Sequence, residues 1–523
     1  MKKALWLAFF LIIVCCFIFS ACDNVDSPDD KDISIDDNTS PAPEEEPIEN
    51  ESAILKYELN ADGETYSVTG CEDNIESSII IPDTYKGKPV TILSSLYLGK
   101  CVTTISIGKN VTEIDPTFAS TTLESIIVSE RNNHFKSIDG NLYTRDGKTL
   151  VKYAVGKKNT TFEIPNDVTN IGNYAFVLNK HLTNITIGNN VSTIGFQAFA
   201  LCDNLQRVNI EDSVTNIGEY AFSSCQKLTN ITIGDGATII SREAFRDCRN
   251  LAVVTIGNAV TSIDPSAFNL CTSLISINVS KENPAYQSID GSLYSKDGKT
   301  MIMYALGKAD TSFSIPDHVT DIGDWAFAYS PNLNNIIIGN SIINIGECAF
   351  VRCDNLTNVT IGDSVTTILE SAFACCENLT VVTISSSVTS IASSAFNGCT
   401  SLISINVSKE NLSYQSIDGN LYSKDGKTLM QYALGKADTS FSIPDHVTNI
   451  GERAFACSKL NNIIIGNSVK YIGGEAFNGY NIEKITFEGT LEEWKSIKKG
   501  SIMGELSINI PVYCTDGQTN TLE

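Results

Sequence analysis

Residues 182–204 have the sequence LTNITIGNNVSTIGFQAFALCDN, and residues 205–227 and 228–250 repeat its apolar pattern with other polar residues between. The shared unit is L-x-x-I-x-I-G-x-x-V-x-x-I-x-x-x-A-F-x-x-C-x-x, which is 23 residues long. A period of this length is typical of solenoids, because such a unit cannot enclose a core alone and must stack on its neighbours. This stretch therefore predicts a repeat fold.

A phenylalanine marks the same position in each unit and shows how far the repeat extends. Consecutive phenylalanines of this column are 22 or 23 residues apart, except at three intervals of 58 or 59 residues. The column consists of Phe118, Phe176, Phe199, Phe222, Phe245, Phe268, Phe327, Phe350, Phe373, Phe396, Phe455 and Phe477. The sequence thus predicts one array that contains three longer units.

Within a unit, the apolar spacing predicts two extended segments and a corner. The I-x-I portion alternates with period two, which indicates a short strand with its isoleucines facing inward. The V-x-x-I portion predicts a second extended segment, and A-F-x-x-C predicts a single helical or 3₁₀ turn with Phe and Cys inward. Strands of successive units should pair in parallel, roughly 4.8 Å apart.

Three related inserts account for the long intervals. They contain SIDGNLYTRDGKTL from Ser137, SIDGSLYSKDGKTM from Ser288 and SIDGNLYSKDGKTL from Ser416. Asp-Gly between two alternating apolar runs predicts a β-hairpin, so we place hairpins near 130–160, 281–311 and 409–439. The Asp-Gly pairs lack the dense oxygen-ligand spacing of calcium loops, and we interpret them as turns.

The units LTNITIGDSVTTI and their AFxxC corners resemble the BspA-like leucine-rich repeats of bacterial surface proteins. The resemblance implies an α/β leucine-rich-repeat solenoid, a right-handed superhelix rich in short parallel strands, over 102–484. It also implies an N-terminal β cap at 53–101 and a C-terminal cap at 485–523. Thr490-Leu491-Glu492-Glu493 predicts a capping box that starts a short helix in this last segment. BspA-like proteins are associated with attachment to host extracellular proteins such as fibronectin and fibrinogen, and to other cells.

The N-terminus resembles that of a bacterial lipoprotein. Lys2 and Lys3 precede an apolar run that ends in Phe19-Ser20-Ala21-Cys22. This pattern predicts a signal peptide at 1–21 and lipidation of Cys22, while an uncleaved membrane helix is the alternative. Either interpretation places the body outside the cytoplasm, and analogy places it on the outer cell surface, held to the membrane by the lipid.

The charge distribution predicts a tether and argues against one class of partner. Residues 23–52 contain 12 Asp and Glu against one Lys, which predicts an acidic, disordered tether at 22–52. The net charge of the chain is −24. Nucleic acid is therefore not expected as a partner, because phosphate backbones are bound by Lys and Arg patches.

Seven of the 16 cysteines follow the repeat. They are Cys202, Cys225, Cys248, Cys271, Cys353, Cys376 and Cys399, each three residues after a column phenylalanine. Cysteine packs as a small hydrophobic residue, so this spacing predicts a ladder of buried thiols rather than disulfides. Cys71, Cys101 and Cys514 are less regular and could form bridges after export. We expect no metal, because no CxxC or His pairing accompanies the ladder.

The residues between the inward isoleucines should point outward and form a nearly neutral polar face. We propose these positions as candidate ligand-binding residues: Asn184, Thr186, Arg207, Asn209, Asn230, Thr232, Thr255, Asn335, Asn358, Thr360, Thr383 and Asn462. A neutral face suits a protein partner, because little charge must be desolvated. The alternative is that Thr and Asn simply suit stacked strands.

Catalysis finds little support in the sequence. No GxSxG, HExxH or phosphate-binding loop has the required context, and His318 and His446 are inherited positions of one repeat. We therefore expect a non-enzymatic binding protein without cofactors, with adhesion to a protein ligand as its function. A glycan-binding component of an uptake system and a self-associating structural protein of the cell envelope are the alternatives.

Overall fold

The computed structural model describes residues 55–71, 77–94, 101–118, 121–479, 481–500 and 510–520. These residues belong to one compact unit, in which short parallel strands stack in register along the chain. The predicted solenoid is confirmed. The predicted signal peptide at 1–21, the lipidation site Cys22 and the tether at 22–52 lie outside the described residues.

The I-x-I segments form a ladder of strands, here called the long ladder. Its strands pair in parallel, except that the last strand, Gly517–Asn520, pairs antiparallel with Pro511–Cys514. In-register pairs such as Asn184 with Arg207 and Arg207 with Asn230 show that equivalent positions stack directly. The ladder is divided into four sheets of three, six, five and five strands. Its strands are Ser78–Ile81, Thr104–Ile107 and Ser125–Val128; Thr161–Glu163, Asn184–Thr186, Arg207–Ile210, Asn230–Ile233, Val253–Ile256 and Ser276–Val279; Ser312–Ser314, Asn335–Ile337, Asn358–Thr360, Val381–Ile384 and Ser404–Val407; and Ser440–Ser442, Asn462–Ile465, Lys484–Phe487, Pro511–Cys514 and Gly517–Asn520.

The V-x-x-I segments form a second ladder, here called the short ladder, whose repeat strands are two residues long. Each hairpin insert belongs to this ladder, because its third strand pairs in parallel with the first repeat strand that follows. The three sheets are Phe135–Ile138, Asn141–Thr144, Thr149–Lys152, Asn170–Ile171, Thr193–Ile194, Asn216–Ile217, Ile239–Ile240 and Ser262–Ile263; Tyr286–Ile289, Ser292–Ser295, Thr300–Met303, Asp321–Ile322, Asn344–Ile345, Thr367–Ile368 and Ser390–Ile391; and Tyr414–Ile417, Asn420–Ser423, Thr428–Gln431, Asn449–Ile450, Tyr471–Ile472 and Lys498–Lys499.

Separate elements lie at the two ends of the described chain. The N-terminal sheet contains Leu55–Leu59, Tyr66–Cys71, Thr84–Tyr85, Lys88–Leu93 and Glu113–Ile114. Near the C-terminus, the helix Leu491–Ser496 begins with the predicted capping box, in which the Thr490 side chain accepts from the Glu493 N–H. This helix buries Trp494, whose ring packs edge-on against Phe487 at 5.4 Å.

Two columns of side chains fill the interior, as the repeat predicted. Neighbouring phenylalanine rings from Phe176 to Phe268 stack at 4.8 to 5.3 Å and form an aromatic spine. The seven repeat cysteines are buried, and each thiol donates a hydrogen bond to the carbonyl of the phenylalanine in the preceding rung at 3.0 to 3.3 Å. The buried thiol ladder is therefore confirmed, and the described residues contain no disulfide.

The predicted helical turn at the A-F-x-x-C corner is wrong. The N–H groups of Tyr174, Phe176 and Leu178 donate to carbonyls of the following rung at 2.7 to 3.0 Å, so they cannot form helical hydrogen bonds. Tyr174 and Leu178 have φ values of 56° and 66°, the left-handed conformation that breaks a helix. The corner is a series of turns stabilised by its neighbour, and the described residues form a helix only at Leu491–Ser496.

The inserts divide the interior into blocks. Buried apolar side chains form four clusters, which span 55–154, 143–303, 294–421 and 422–512, and each border lies in an insert. Each insert also adds a tyrosine that starts a new aromatic stack: Tyr153 lies 5.0 Å from Phe176 and Tyr304 lies 5.2 Å from Phe327. Tyr432 starts the third stack at 5.6 Å from Phe455.

Candidate binding surfaces

The outward side of the long ladder, here called the strand face, contains the twelve predicted binding residues. Its strands alternate outward polar and inward buried residues, as in Asn230–Ile233, where Ile231 and Ile233 are buried. Nine of the twelve are exposed, and Thr255, Asn335 and Asn462 are half-buried. The structure thus places all of these side chains on the outward side of the sheets.

Parallel pairing brings the predicted residues together in three groups rather than in one. Asn184, Arg207 and Asn230 are consecutive register partners, as are Thr186, Asn209 and Thr232, with Thr255 as the next. Asn335, Asn358, Thr360 and Thr383 belong to the following sheet, and Asn462 belongs to the last. The strand face is interrupted at each insert, because the long ladder ends there.

Local hydrogen bonds orient several amides of the strand face. The Asn209 amide donates to the Glu211 carboxylate at 2.6 Å, and the Asn335 amide donates to the Ser312 hydroxyl at 3.1 Å. Asn230 donates to the hydroxyl of the threonine before it at 3.2 Å. These amides keep unused acceptor and donor capacity, which a partner's backbone could use.

Three further residues at the ends of the columns were not predicted from the sequence. Glu163 pairs with Thr186 and Lys484 pairs with Asn462, so both charges belong to the strand face alongside Arg207. Tyr513 pairs with Thr486 and is 44% exposed, which places an aromatic ring at the end of one column. Extending the Thr186 and Asn462 positions by one rung to Glu163 and Lys484 would have found the two charges.

The inserts form the predicted hairpins, and their Asp-Gly pairs form tight turns. Asp139 and Gly140 have φ values of 49° and 67°, as in the type I′ turns that such pairs favour. The Gly140 carbonyl accepts the Ile126 N–H at 2.9 Å, so this turn occupies the place of the next long-ladder strand. The Asp290 carboxylate pairs with Lys308 at 2.6 Å. These contacts support turn chemistry at the Asp-Gly positions.

In the described part of the chain, no three His, Cys, Asp or Glu side chains are grouped so as to hold a metal ion. No helix among the described residues is long and apolar enough to cross a bilayer.

Comparison with known proteins identifies similar sequences and folds. The profile described as BspA type Leucine rich repeat region matches residues 152–290, 306–426 and 431–500, in six copies. No curated protein sequence matches the chain significantly.

Solved structures that match the chain in structural comparison include three bacterial proteins. A leucine-rich cell surface protein of Faecalibacterium prausnitzii is 25% identical, covering 87% of this chain and 99% of its own, with a TM-score of 0.42. The pneumococcal vaccine antigen PcpA is 18% identical, covering 89% and 98%, with a TM-score of 0.44. A leucine-rich repeat protein of Eubacterium ventriosum is 20% identical, covering 87% and 95%, with a TM-score of 0.41.

Proposed function

Because the chain belongs to the BspA-type leucine-rich repeat family, we propose that it is a non-enzymatic binding protein of the cell surface that adheres to host extracellular or other proteins through its strand face. The second sheet of the long ladder, Thr161–Glu163 to Ser276–Val279, is the central part of this surface. The observation that supports the proposal is the near absence of charge there. Among the outward residues of its six strands, only Glu163 and Arg207 are charged.

A neutral polar sheet face favours a protein partner on physical grounds. Burial of a charged side chain costs free energy unless it is paired, whereas amides and hydroxyls can exchange water for a partner's backbone groups. The inward isoleucines and the spine hold these strands in one conformation, so little ordering is needed on binding.

The area of one sheet sets a minimum size for the partner. Six strands that are roughly 4.8 Å apart and about 10 Å wide present on the order of 300 Å². A specific interface buries about 800 Å² on each partner. We therefore propose an extended partner that also contacts a neighbouring sheet, as a fibrous matrix protein could.

The position of the protein in the cell is part of the same proposal. Lipidation at Cys22 and the acidic tether at 22–52 would hold the solenoid away from the membrane. We propose that the lipid anchors the protein at the outer cell surface, where a host protein could reach the strand face.

The test is binding of the full chain to immobilised fibronectin, fibrinogen and a glycan array. Replacement of Asn230, Thr232, Asn358 and Thr360 by Lys should weaken binding to a matrix protein at least tenfold, because four unpaired charges must be desolvated. The fold should survive, because all four side chains are exposed.

The control adds the same charge on the short ladder instead of the long ladder. Its four substitutions, to Lys in each case, are at the exposed positions Asn216, Ile239, Ser262 and Ser390 of the short ladder. Equal loss of binding in both variants would show that the strand face is not the binding site. Binding of the chain to glycans but to neither matrix protein would reject the proposal of a protein partner.

A further inference from the structure

In each insert, the turn between the second and third strands has the sequence Arg-Asp-Gly-Lys or Lys-Asp-Gly-Lys. Its second basic residue is Lys148, Lys299 or Lys427, each of which is exposed. The backbone carbonyl of Lys148 accepts the N–H of Thr169 at 2.8 Å, and Lys299 and Lys427 do the same for the equivalent threonines. These lysines therefore occupy the same register position, directly before the third strand of each insert.

The side chains of these lysines are exposed. The pKa of the adjacent aspartate is lowered mainly by hydrogen bonds within the turn, and the lysine charge makes only a minor contribution to this effect. None of Lys148, Lys299 and Lys427 forms an ion pair within the described ranges, although the adjacent aspartates lie nearby. The aspartate between the two basic residues is held by the turn instead: Asp425 accepts from the Ser423 hydroxyl at 2.6 Å and the Lys427 N–H at 3.0 Å. Each turn thus has two basic side chains and one carboxylate that accepts hydrogen bonds within the turn.

The last sheet concentrates this charge. Lys427, Thr448 and Lys470 follow one another in a single column, because Thr448 N–H donates to Lys427 and Lys470 N–H donates to Thr448. Lys498 is the register partner of Tyr471 and lies beside Lys470. These three lysines are exposed and lie within about three rungs, or roughly 14 Å.

Hydroxyl groups line the same column between the lysines. The Thr169 hydroxyl donates to the Lys148 carbonyl at 3.3 Å, and the Thr215 hydroxyl donates to Ser192 at 3.1 Å. The other members that donate in this way are Ser192, Thr366, Thr389 and Thr448. Because each hydroxyl hydrogen is used within the ladder, the oxygen is left as an acceptor toward the outside.

We propose that this column of the short ladder, here called the lysine track, binds a linear anionic polysaccharide. Carboxylate or sulfate groups would pair with the lysines, and sugar hydroxyls would donate to the threonine oxygens. Successive basic turns are separated by about five or six rungs, or roughly 25–30 Å. A long polymer can contact several turns at once and gains affinity from each, whereas a small anion contacts one.

The spacing of the lysines disfavours nucleic acid as the ligand. The acidity of the whole chain does not prevent these lysines from binding an anionic polymer. Duplex DNA has one phosphate per about 1.7 Å, which calls for a continuous basic surface rather than separated turns. Of the net charge of −24, −11 belongs to residues 23–52. Charges beyond about 8 Å are largely screened at physiological salt, so the local lysines dominate contact with the polymer.

The test measures binding of the full chain to heparin and to alginate, with neutral dextran, duplex DNA and phosphatidylglycerol vesicles as comparison probes. We expect binding to heparin or alginate that weakens steeply with salt. The triple variant K427E/K470E/K498E should lose affinity about tenfold or more. The control K180E/K227E/K459E changes exposed lysines outside both the track and the strand face by the same charge and should bind as the parent does.

Circular dichroism and thermal melting would show that both variants are folded. Lack of binding to either polysaccharide would overturn the proposal, as would equal loss in the control variant. Equal or tighter binding of DNA, dextran or vesicles would also overturn it, because the site would then not be specific for an anionic polysaccharide. The strand-face substitutions at Asn230, Thr232, Asn358 and Thr360 should leave polysaccharide binding unchanged, which separates this site from the protein-binding surface.

Discussion

Buried thiol and ammonium groups of the solenoid donate hydrogen bonds to carbonyls of neighbouring rungs. The Cys248 thiol donates to the Phe222 carbonyl at 3.1 Å, and burial raises the pKa of this thiol well above its ordinary value. Lys152 is 2% exposed, and its ammonium donates to the Pro116 and Tyr174 carbonyls at 3.0 and 3.1 Å. The thiol is neutral and the lysine is ionisable near neutral pH, so burial has different consequences for them.

The ladder thiols should be chemically inert in the folded protein. Only the thiolate reacts with disulfide reagents, and burial suppresses both ionisation and access. A thiol reagent at pH 8 should modify the exposed Cys101 and Cys457 within minutes and the seven ladder cysteines only after unfolding. Mass spectrometry of the labelled peptides measures this. Fast labelling of Cys225 or Cys248 in folded protein would contradict the prediction.

Lys152 should make stability depend on pH. Burial lowers the pKa of Lys152 to about 7, an effect that the Asp115 carboxylate partly opposes. In the unfolded chain this pKa is about 10.4, so between about pH 7 and 10.4 the unfolded state binds more protons. The free energy of unfolding should therefore rise with pH in this range, by at most about 1.4 kcal/mol per pH unit.

The matched variant is Lys152→Met, because the equivalent residue of the second insert is Met303, which is also buried. Denaturant unfolding of both proteins at pH 6.5, 7.5 and 8.5 measures the effect. The variant should be the more stable protein at pH 6.5 and should lack the lysine-dependent slope. An identical pH slope in both proteins would show that Lys152 does not titrate in this range.

At the scale of elements, the inserts end both ladders by replacing the groups of a missing strand. The Tyr414 hydroxyl accepts the Ile391 N–H at 3.0 Å and donates to the Thr389 carbonyl at 3.3 Å. The buried Asn411 amide donates to Ser385 and Val388 carbonyls at 2.8 and 2.9 Å. Each insert is therefore an internal cap, which satisfies backbone groups that a further rung would otherwise bind.

Tyr414→Phe should destabilise the third block without changing its fold. The substitution leaves the Ile391 N–H without its acceptor in a buried position, which costs on the order of 1–3 kcal/mol. The half-exposed Tyr471, whose phenol is not part of a cap, gives the control Tyr471→Phe. Urea unfolding should show the loss for Tyr414 and little change for Tyr471. Since the first insert has Phe135 at this position, a loss below about 0.3 kcal/mol would mean that water replaces the phenol.

The residues predicted and missed in these elements share a physical explanation. Stacking of identical units fixes which positions face inward, so the Phe and Cys columns and the strand face followed from the sequence period. Tyr153, Tyr304 and Tyr432 were missed as spine residues because the inserts interrupt that period. The left-handed corner at Tyr174 was missed because hydrogen bonds to the next rung override local helix preference, and nothing in the local sequence reports them. Lys152 could have been found by alignment with Met303.

At the scale of the whole described unit, the interior is four clusters in series rather than one uniform core. Contacts within a repeat array are between neighbours, so its stability is a sum of local terms. On unfolding, such an array separates into cooperative units at the borders where fewer apolar contacts are shared. We therefore expect unfolding in more than one step, with borders at the inserts.

Gly307→Ala tests the border between the second and third blocks. A Cβ at Gly307 would lie 2.2 Å from the Ser273 carbonyl carbon, so the two chains would have to separate. Gly339→Ala is the control, because its Cβ would meet nothing closer than 3.9 Å. Hydrogen exchange should show lost protection near 273–315 in the first variant and none in the second. A single unchanged transition in calorimetry of Gly307→Ala would contradict the segmented interior.

The internal caps also bear on how such a gene can lengthen. The second and third inserts are 128 residues apart and nearly identical, so the stretch between them arose by copying within the gene. A copied stretch that begins and ends at an insert already contains the internal cap for each of its ends. Its addition therefore exposes no apolar interior to solvent. Recombination at these points can therefore vary the number of rungs in the array without requiring compensating mutations elsewhere.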